Sequence, residues 1–381
     1  MPNKKKLSFE PIIFLVIFLG IFCLIGSQMG AANMLSTMMN TAYALLMDTV
    51  FYIMAIAVLA GAVSALLSEF GVVDLINKLV SPLMKPLFGL PGAASLGIIT
   101  TYLSDNPAIL ALANDGKFRG YFKKYQLPAL TNLGTAFGMG LIVTTFMIGI
   151  HSPTGENLVV AALIGNLGAF IGSIVSTRLM LLQTRKIFGT EASCDALETK
   201  AAAEEEEKGK QGVGMRVIEC LMSGGKTGVQ LGLDIIPGVL IICTMVMMLT
   251  NGAPEGGFTG GAYEGIAFLP WLGDKIGFIL KPIFGFTSAE CIAVPITALG
   301  AAGAAIGLVP GMIANGTATA HDIAVFTSMC MCWSGYLSTH VAMMDSLKHS
   351  NLTGKAILSH TIGGLCAGFA ANWIYQLFAL L

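Results

Sequence analysis

The chain has 381 residues, of which 55% are hydrophobic and 11% charged, with a formal net charge of −1 and a mean hydropathy of +0.76. Soluble domains carry roughly 25% charged residues, so this deficit excludes an ordinary water-facing globule and fits a surface turned toward lipid. The near-zero balance also excludes an extended basic face for nucleic acid.

Taken in chain order, Lys4–Lys6 precede a first apolar run, Pro11–Gly30, which is long enough to span and shows no processing site of a cleavable signal peptide. A second run follows at Ala44–Leu67. Val72–Phe88 is amphipathic, with Val73, Ile76, Val80, Leu83, Met84 and Leu87 near one face and Asp74, Lys78 and Lys85 away from it, the pattern of a helix lying in the interface plane. The next apolar stretch, Leu90–Asn114, is interrupted by Ser104-Asp105-Asn106-Pro107. Two further spans read as Leu127–Ile150 and Leu158–Leu182. A charged stretch, Thr184–Met215, contains Glu204-Glu-Glu-Glu207-Lys-Gly-Lys210 and reads as a solvated cytoplasmic linker.

The second part repeats the plan: a span at Ile235–Thr250, an amphipathic segment at Leu269–Ile283, and an apolar stretch at Phe286–Ile313. Gly300-Ala-Ala-Gly303-Ala-Ala interrupts that stretch, and spans at Ile323–Met344 and Ile357–Leu380 follow it. Ser223-Gly-Gly-Lys-Thr227 imitates a phosphate loop, but Cys220 stands where that loop needs a glycine. The eight cysteines lie mostly in apolar runs and read as small hydrophobes, with Cys330 and Cys332 pointing to different faces of a helix. No metal or other cofactor is implied.

Each interrupted stretch is either a kinked span or a hairpin that enters and leaves on one side. Charge decides. With two hairpins and the Lys4–Lys6 end cytoplasmic, 19 of the 21 Lys and Arg residues lie inside, and only Lys275 and Lys281 lie outside. Treating the first stretch as a full span would export Lys117, Arg119, Lys123 and Lys124 together, against the positive-inside rule.

Met84-Lys85-Pro86-Leu87-Phe88-Gly89-Leu90 matches Leu280-Lys281-Pro282-Ile283-Phe284-Gly285-Phe286, 196 positions later, and Ile164-Gly165-x-Leu167-x-Ala169 matches Ile362-Gly363-x-Leu365-x-Ala367. Upstream, Leu46-Met47-Asp48-Thr49-Val50 resembles Gly232-Leu233-Asp234-Ile235-Ile236. The first Lys-Pro-x-Phe-Gly corner is inside and the second outside, so the repeats are inverted. The fold expected is an all-α integral membrane protein of about seven transmembrane helices and two re-entrant helical hairpins in two inverted repeats. Residues 1–43 form an extra N-terminal helix and loop, 44–183 the first repeat, 184–215 the linker and 216–381 the second repeat. Broken helices meeting near the midplane are a recurring plan of secondary transporters. The location expected is the cell membrane, multi-pass, with the N-terminus cytoplasmic.

At these residues the chain resembles the Gate-domain (nucleoside recognition) membrane proteins, distantly similar to concentrative nucleoside transporters and to the membrane core of ferrous-iron permeases. The resemblance covers roughly 44–380 without the linker. It implies a transporter fold with substrate contacts at the hairpin tips and an elevator-like displacement. It does not transfer a substrate: the Gln-Thr-Glu hairpin motif of the nucleoside transporters is absent, with Ser288-Ala289-Glu290 a partial echo, and the permeases' GTPase domain is missing.

The sharpest candidates lie at the first interruption. An Asp at membrane depth costs ~2.5–3.5 kcal/mol on insertion scales, so Asp105, with Ser104 and Asn106, either binds a substrate or coupling cation or caps the following arm. At the second interruption, Gly300 and Gly303 either admit a ligand to bare backbone N–H groups or serve close packing. Glu290 either couples a cation or caps its arm. Asn132 and Thr135 on one span, and Thr327 and Ser328 in the stripe running through Ser334, Ser338, Thr339 and His340 on the other, complete the substrate-binding set; Asn132 and Ser328 are 196 apart. His340, with His360, either relays protons or packs with hydrogen bonds. The function expected is secondary transport of a small polar organic solute (nucleoside-like, amino-acid-like or carboxylate) coupled to Na+ or H+, not catalysis. A metal permease and a non-transporting assembly partner are the alternatives. The partners expected are the solute, the bilayer and further copies of the chain.

Overall fold

The computed structural model describes residues 9–114, 116–194 and 212–380. The Lys4–Lys6 end and the Glu204–Lys210 run lie outside them, as do the side chains of Lys117 and Ser338. α1 (Glu10–Met29) is joined through Gly30 (φ 80°) to α2, a helix of 39 residues over Ala31–Glu69 that keeps its course through a π-helical segment at Leu45–Val50. The loop expected up to residue 43 is therefore helical, and the boundary drawn at 44 falls inside one helix. The polar Asn33, Ser36, Thr37, Asn40 and Thr41 hid it from a hydropathy reading; Asn33, Asn40 and Thr41 bond to the backbone of Phe258, Gly260 and Tyr263 in the loop before Phe268.

α3 (Val72–Phe88) is the amphipathic segment, closed at both ends by left-handed glycines, Gly71 (φ 74°) and Gly89 (φ 73°). α4 (Ala94–Leu103) and α5 (Pro107–Asn114) form the first hairpin. Ten and eight residues reach ~15 and ~12 Å at 1.5 Å per residue, too little to cross a ~30 Å core, and the two arms pack on each other. Short α6 (Gly116–Arg119) leads to α7 (Ala129–Thr135) and α8 (Gly140–Gly149), then α9 (Leu158–Phe188).

The second repeat opens with α10, 38 residues over Val213–Thr250, with its own π-helical segment at Val239–Cys243. α11 (Phe268–Phe284), the second hairpin from α12 (Ala293–Gly300) and α13 (Ala302–Ala314), α14 (Ala320–Cys332), α15 (Tyr336–Ser346) and α16 (Thr353–Ala379) complete the described chain. α3 and α11 begin and end 196 positions apart, and so do their flanking residues: Gly71 with Ala267 (φ 50°), Gly89 with Gly285 (φ 68°). Three crossings, through α7–α8, α9 and α10, separate the two amphipathic helices. They consequently lie on opposite sides, and the repeats are inverted.

Five helices among the described residues are long and apolar enough to cross a membrane, against about seven expected. α16 is long enough, at 27 residues, but carries buried Ser359, His360 and Asn372. The span expected at Ile323–Met344 is two helices rather than one.

Glycine sets the frame. α2 crosses α10 where Gly61 faces Gly224 and Gly228 faces Ala57, and a Cβ on any of the three would meet backbone of the other helix. α9 and α16 cross likewise, Gly172 against Gly363 and Gly168 against Ala367. At both crossings the helix axes approach as only small residues allow.

Candidate functional site

Both helices that follow the hairpins are broken, which the sequence reading missed. Between α7 and α8 the chain unwinds through Ala136–Met139, with Met139 left-handed (φ 55°); between α14 and α15 it unwinds through Trp333–Gly335, with Gly335 left-handed (φ 60°). Met139 and Gly335 are again 196 apart. The available signal was Gly138-Met139-Gly140 and Ser334-Gly335 inside otherwise apolar runs.

Asn106, at the tip of the first hairpin, sits between these two breaks. Its Nδ2 donates to the Ser334 carbonyl at 2.9 Å, while its Oδ1 is buried without a partner. A Cβ on Gly138 would overlap the Asn106 Oδ1, and one on Gly335 would overlap its Nδ2. Two glycines have been cleared around one amide. Next to it, Asp105 interacts with the Asn106 N–H and the Ser334 hydroxyl and faces the charge of Asp234 on α10, yet its Oδ1 is buried and unpaired. Ser104 is not free in the same way: its hydroxyl donates to the Thr100 carbonyl at 2.6 Å.

Ser104 and Asp105 open onto a cavity of about 440 Å³ between the hairpin, α2 and α10, with Ser223, Thr227, Gln230 and Asp234 across from them. Gln230 Nε2 donates to Asp234 at 2.7 Å. Among the described residues, two carboxylates and no Lys, Arg or His line this cavity. A second, larger cavity of about 1030 Å³ is bounded by Asp48, Tyr52, Phe146, Tyr263, Glu290 and Asn315 among others.

Other sequence candidates separate from the hairpin tip. Asn132 is buried, its Nδ2 donating to Ser176 Oγ at 3.0 Å and to the Ala356 carbonyl at 2.9 Å. Ser176 in turn meets His360 Nδ1 at 2.7 Å. His360 Nε2 faces the Cys332 carbonyl, which can only accept, so Nε2 carries the hydrogen and Ser176 donates to Nδ1. This buried chain ties α7, α9 and α16 together. Thr135, Thr327 and Ser328 are buried and donate to their own helices, at Thr131, Ile323 and Val325. None of the four is among the residues lining the two cavities.

Gly300 and Gly303 sit against Ile242 and Ile235 of α10, where a Cβ added to either would come to 3.0 Å from those side chains. Glu290 lines the larger cavity, and Ser104 and Asp105 line the smaller one. His340 is fully buried, its Nδ1 donating to the Tyr336 carbonyl, its ring centroid 4.7 Å from that of His360 and its Nε2 without a partner. The expected match of Asp48 with Asp234 is also out of register. The π-helical segments are the equivalent features, and Asp48 lines the larger cavity while Asp234 lines the smaller one.

Residues 50–178 match the family model described as nucleoside recognition (Gate), which covers the first repeat. No curated protein matches the chain. Among solved structures, the chain is similar to the transporter CNTnw in several states. A variant in an intermediate state is 13% identical with a TM-score of 0.52, over 95% of this chain and 85% of that one. The inward-facing substrate-bound form is 13% identical with a TM-score of 0.51, over 86% and 79%. An outward-facing variant is 14% identical with a TM-score of 0.50, over 97% and 85%. At this identity these matches establish the fold alone, an all-α architecture shared with CNTnw.

Proposed function

We propose that this chain, whose first repeat carries the Gate pattern and whose helices follow the fold of a concentrative nucleoside transporter, is a secondary transporter that binds a small polar organic solute at the tip of its first hairpin. The observation that carries the reading is the pair of partnerless oxygens, Asp105 Oδ1 and Asn106 Oδ1, held between two helix breaks beside a 440 Å³ cavity. Buried acceptors left unpaired cost about 1–3 kcal/mol each, and a ligand that supplies donors recovers that cost. Both atoms that the tip leaves unpaired are acceptors, and the Asp234 carboxylate stands across the cavity from them. The solute class this favours bears hydroxyl or amine donors, as nucleosides and amino compounds do, over a bare carboxylate. Coupling to Na+ or H+ fits the same acceptor-rich tip.

The inverted frame supports alternating access, with the hairpins moving against the α2–α10 pair as an elevator, in the cell membrane with the N-terminus cytoplasmic. Uptake by proteoliposomes against a panel of nucleosides, amino acids and carboxylates tests the reading. Gradient-dependent uptake of a donor-rich solute, abolished by Asp105→Ala, is the expected result. Absence of flux for every member, with and without Na+ and pH gradients, would overturn it.

A further inference from the structure

The cytoplasmic end of the first repeat holds a feature that solute transport does not use. Arg119, at the end of α6, and Arg185, near the end of α9, each keep a guanidinium Nε that is buried and without a hydrogen-bond partner. Among the described residues the ion pair formed is Arg216 with Glu69, so neither arginine meets a carboxylate. The nearby acids are engaged elsewhere: Glu191 with Thr190 at 3.2 Å, Asp345 with Ser350 at 3.0 Å.

The two arginines belong to one patch. Arg185 lies over the Tyr125 ring at 5.2 Å, and Phe188, one turn on, packs on His349 at 5.1 Å between centroids. Burial, and then the charge of Arg119, push the His349 imidazole below its ordinary pKa, which links Arg119 to the same corner. The connector bearing Tyr125 is pinned in place, Lys124 N donating to the Ala192 carbonyl at 2.8 Å and Gln126 Nε2 to the Gly89 carbonyl at 3.1 Å.

The depth of the patch follows from α9. Arg178 on that helix donates from Nε to the Leu87 carbonyl at 2.8 Å and also contacts the Pro86 carbonyl, capping the amphipathic α3. Arg185 is two turns further along, ~10 Å beyond the plane of α3 at 1.5 Å per residue. That is the level of lipid headgroups. The positive-inside rule explains basic residues here. It does not explain buried N–H donors with nothing to bind, which cost stability unless a ligand satisfies them.

We propose that Arg119 and Arg185 form a phosphate-binding site at the cytoplasmic rim, filled by the phosphate of an anionic phospholipid headgroup or by a free phosphate. The arginine fork suits phosphate oxygens in paired hydrogen bonds.

The test uses the full chain in nanodiscs of phosphatidylcholine alone, of phosphatidylcholine with phosphatidylglycerol, and of phosphatidylcholine with added inorganic phosphate, reading the thermal unfolding midpoint. Phosphatidylglycerol is expected to raise the midpoint of the wild type by several degrees. The Arg119→Gln/Arg185→Gln double variant should lose that rise, and Lys186→Gln, an exposed neighbour, should keep it. A rise with inorganic phosphate alone would assign the site to free phosphate. Should the double variant not fold, the single Arg119→Lys and Arg185→Lys variants, which keep charge but lose Nε, are expected to halve the rise or more. Equal rises in wild type and in the arginine variants would overturn the proposal. A wild type indifferent to both anions, but destabilised by deleting residues 195–211, would overturn it in favour of the chain's own acidic linker as occupant.

Discussion

The two hairpin tips occupy equivalent places in matched frames and do opposite things. The first breaks at Ser104-Asp105-Asn106 and presents buried, unpaired oxygens between two unwound helices. The second breaks at Ala301, an extended residue (φ −159°), and its glycines press against Ile235 and Ile242 of α10. Amphipathic helices, left-handed caps and the breaks after the hairpins keep a spacing of 196 positions, while the chemistry does not. Symmetry here belongs to the backbone, and one half has been left to carry the polar work.

The largest effect that would break this comparison is expected at Gly335. Gly335→Ala places a Cβ at φ 60°, costing about 1–2 kcal/mol, and drives it into the Asn106 amide, adding about 1–3 kcal/mol of overpacking. Most of the folded protein should be lost, as read by size-exclusion monodispersity and thermal unfolding; a stable Gly335→Ala protein would deny that the tip is clamped between the breaks. Next comes Asp105→Ala. Losing a charged acceptor costs about 1.5–3 kcal/mol of binding, a roughly tenfold to hundredfold weaker solute affinity by calorimetry with the fold intact. Matched affinity in the two proteins would move the site elsewhere.

Asn132→Ala and Ser328→Ala sharpen the comparison away from the tips. Removing Asn132 strips two hydrogen bonds from a buried chain and should cost about 2 kcal/mol; Ser328, bonded to its own helix, should cost under about 1 kcal/mol. Similar losses at the two positions would contradict their unequal roles. The smallest effect concerns Glu264, which lines the larger cavity. Burial raises its pKa, but hydrogen bonds from Thr259, Gly261 and Gly260 outweigh this and hold the carboxyl below its ordinary range. A group depressed on folding contributes stability above its unfolded pKa of about 4.3 and loses it as pH falls through the lower folded value. Protection of the Thr259–Gly261 amides from hydrogen exchange should therefore persist at pH 5, fade only in stronger acid, and be weakened at all pH values by Glu264→Gln.

The repeat was legible because Lys-Pro-x-Phe-Gly, with its left-handed glycine, is a local device that sequence records directly. The first hairpin was legible because reading its interrupted run as a span would export Lys117, Arg119, Lys123 and Lys124, and the second because it follows the same Lys-Pro-x-Phe-Gly corner. The breaks at Ala136–Met139 and Trp333–Gly335 were not, since unwinding in a buried helix needs only a glycine and a partner, and Asn106, the partner, is some 30 and 230 positions away. Pattern matching by identity also misled: Asp48 and Asp234 look alike in sequence, but the π-helical segments set the true register. Of the candidate residues, Asp105 and Asn106 announced themselves as polar groups at membrane depth. Asn132, Thr135, Thr327 and Ser328 carried the same signal for a different reason, namely that a crowded helix bundle also needs hydroxyls and amides to close its own bonds.

The crossing of α2 and α10 has a mechanical meaning. Gly61, Gly224 and Gly228 bring the two long rods together toward one end, and Met34 with Met248 closes them again toward the other. From Gly61 to Asp48 is ~20 Å of helix at 1.5 Å per residue. Rods fastened at both ends of such a length act as one stiff beam, so any resizing of the cavity that Asp48 and Thr250 line falls to the shorter elements around the pair.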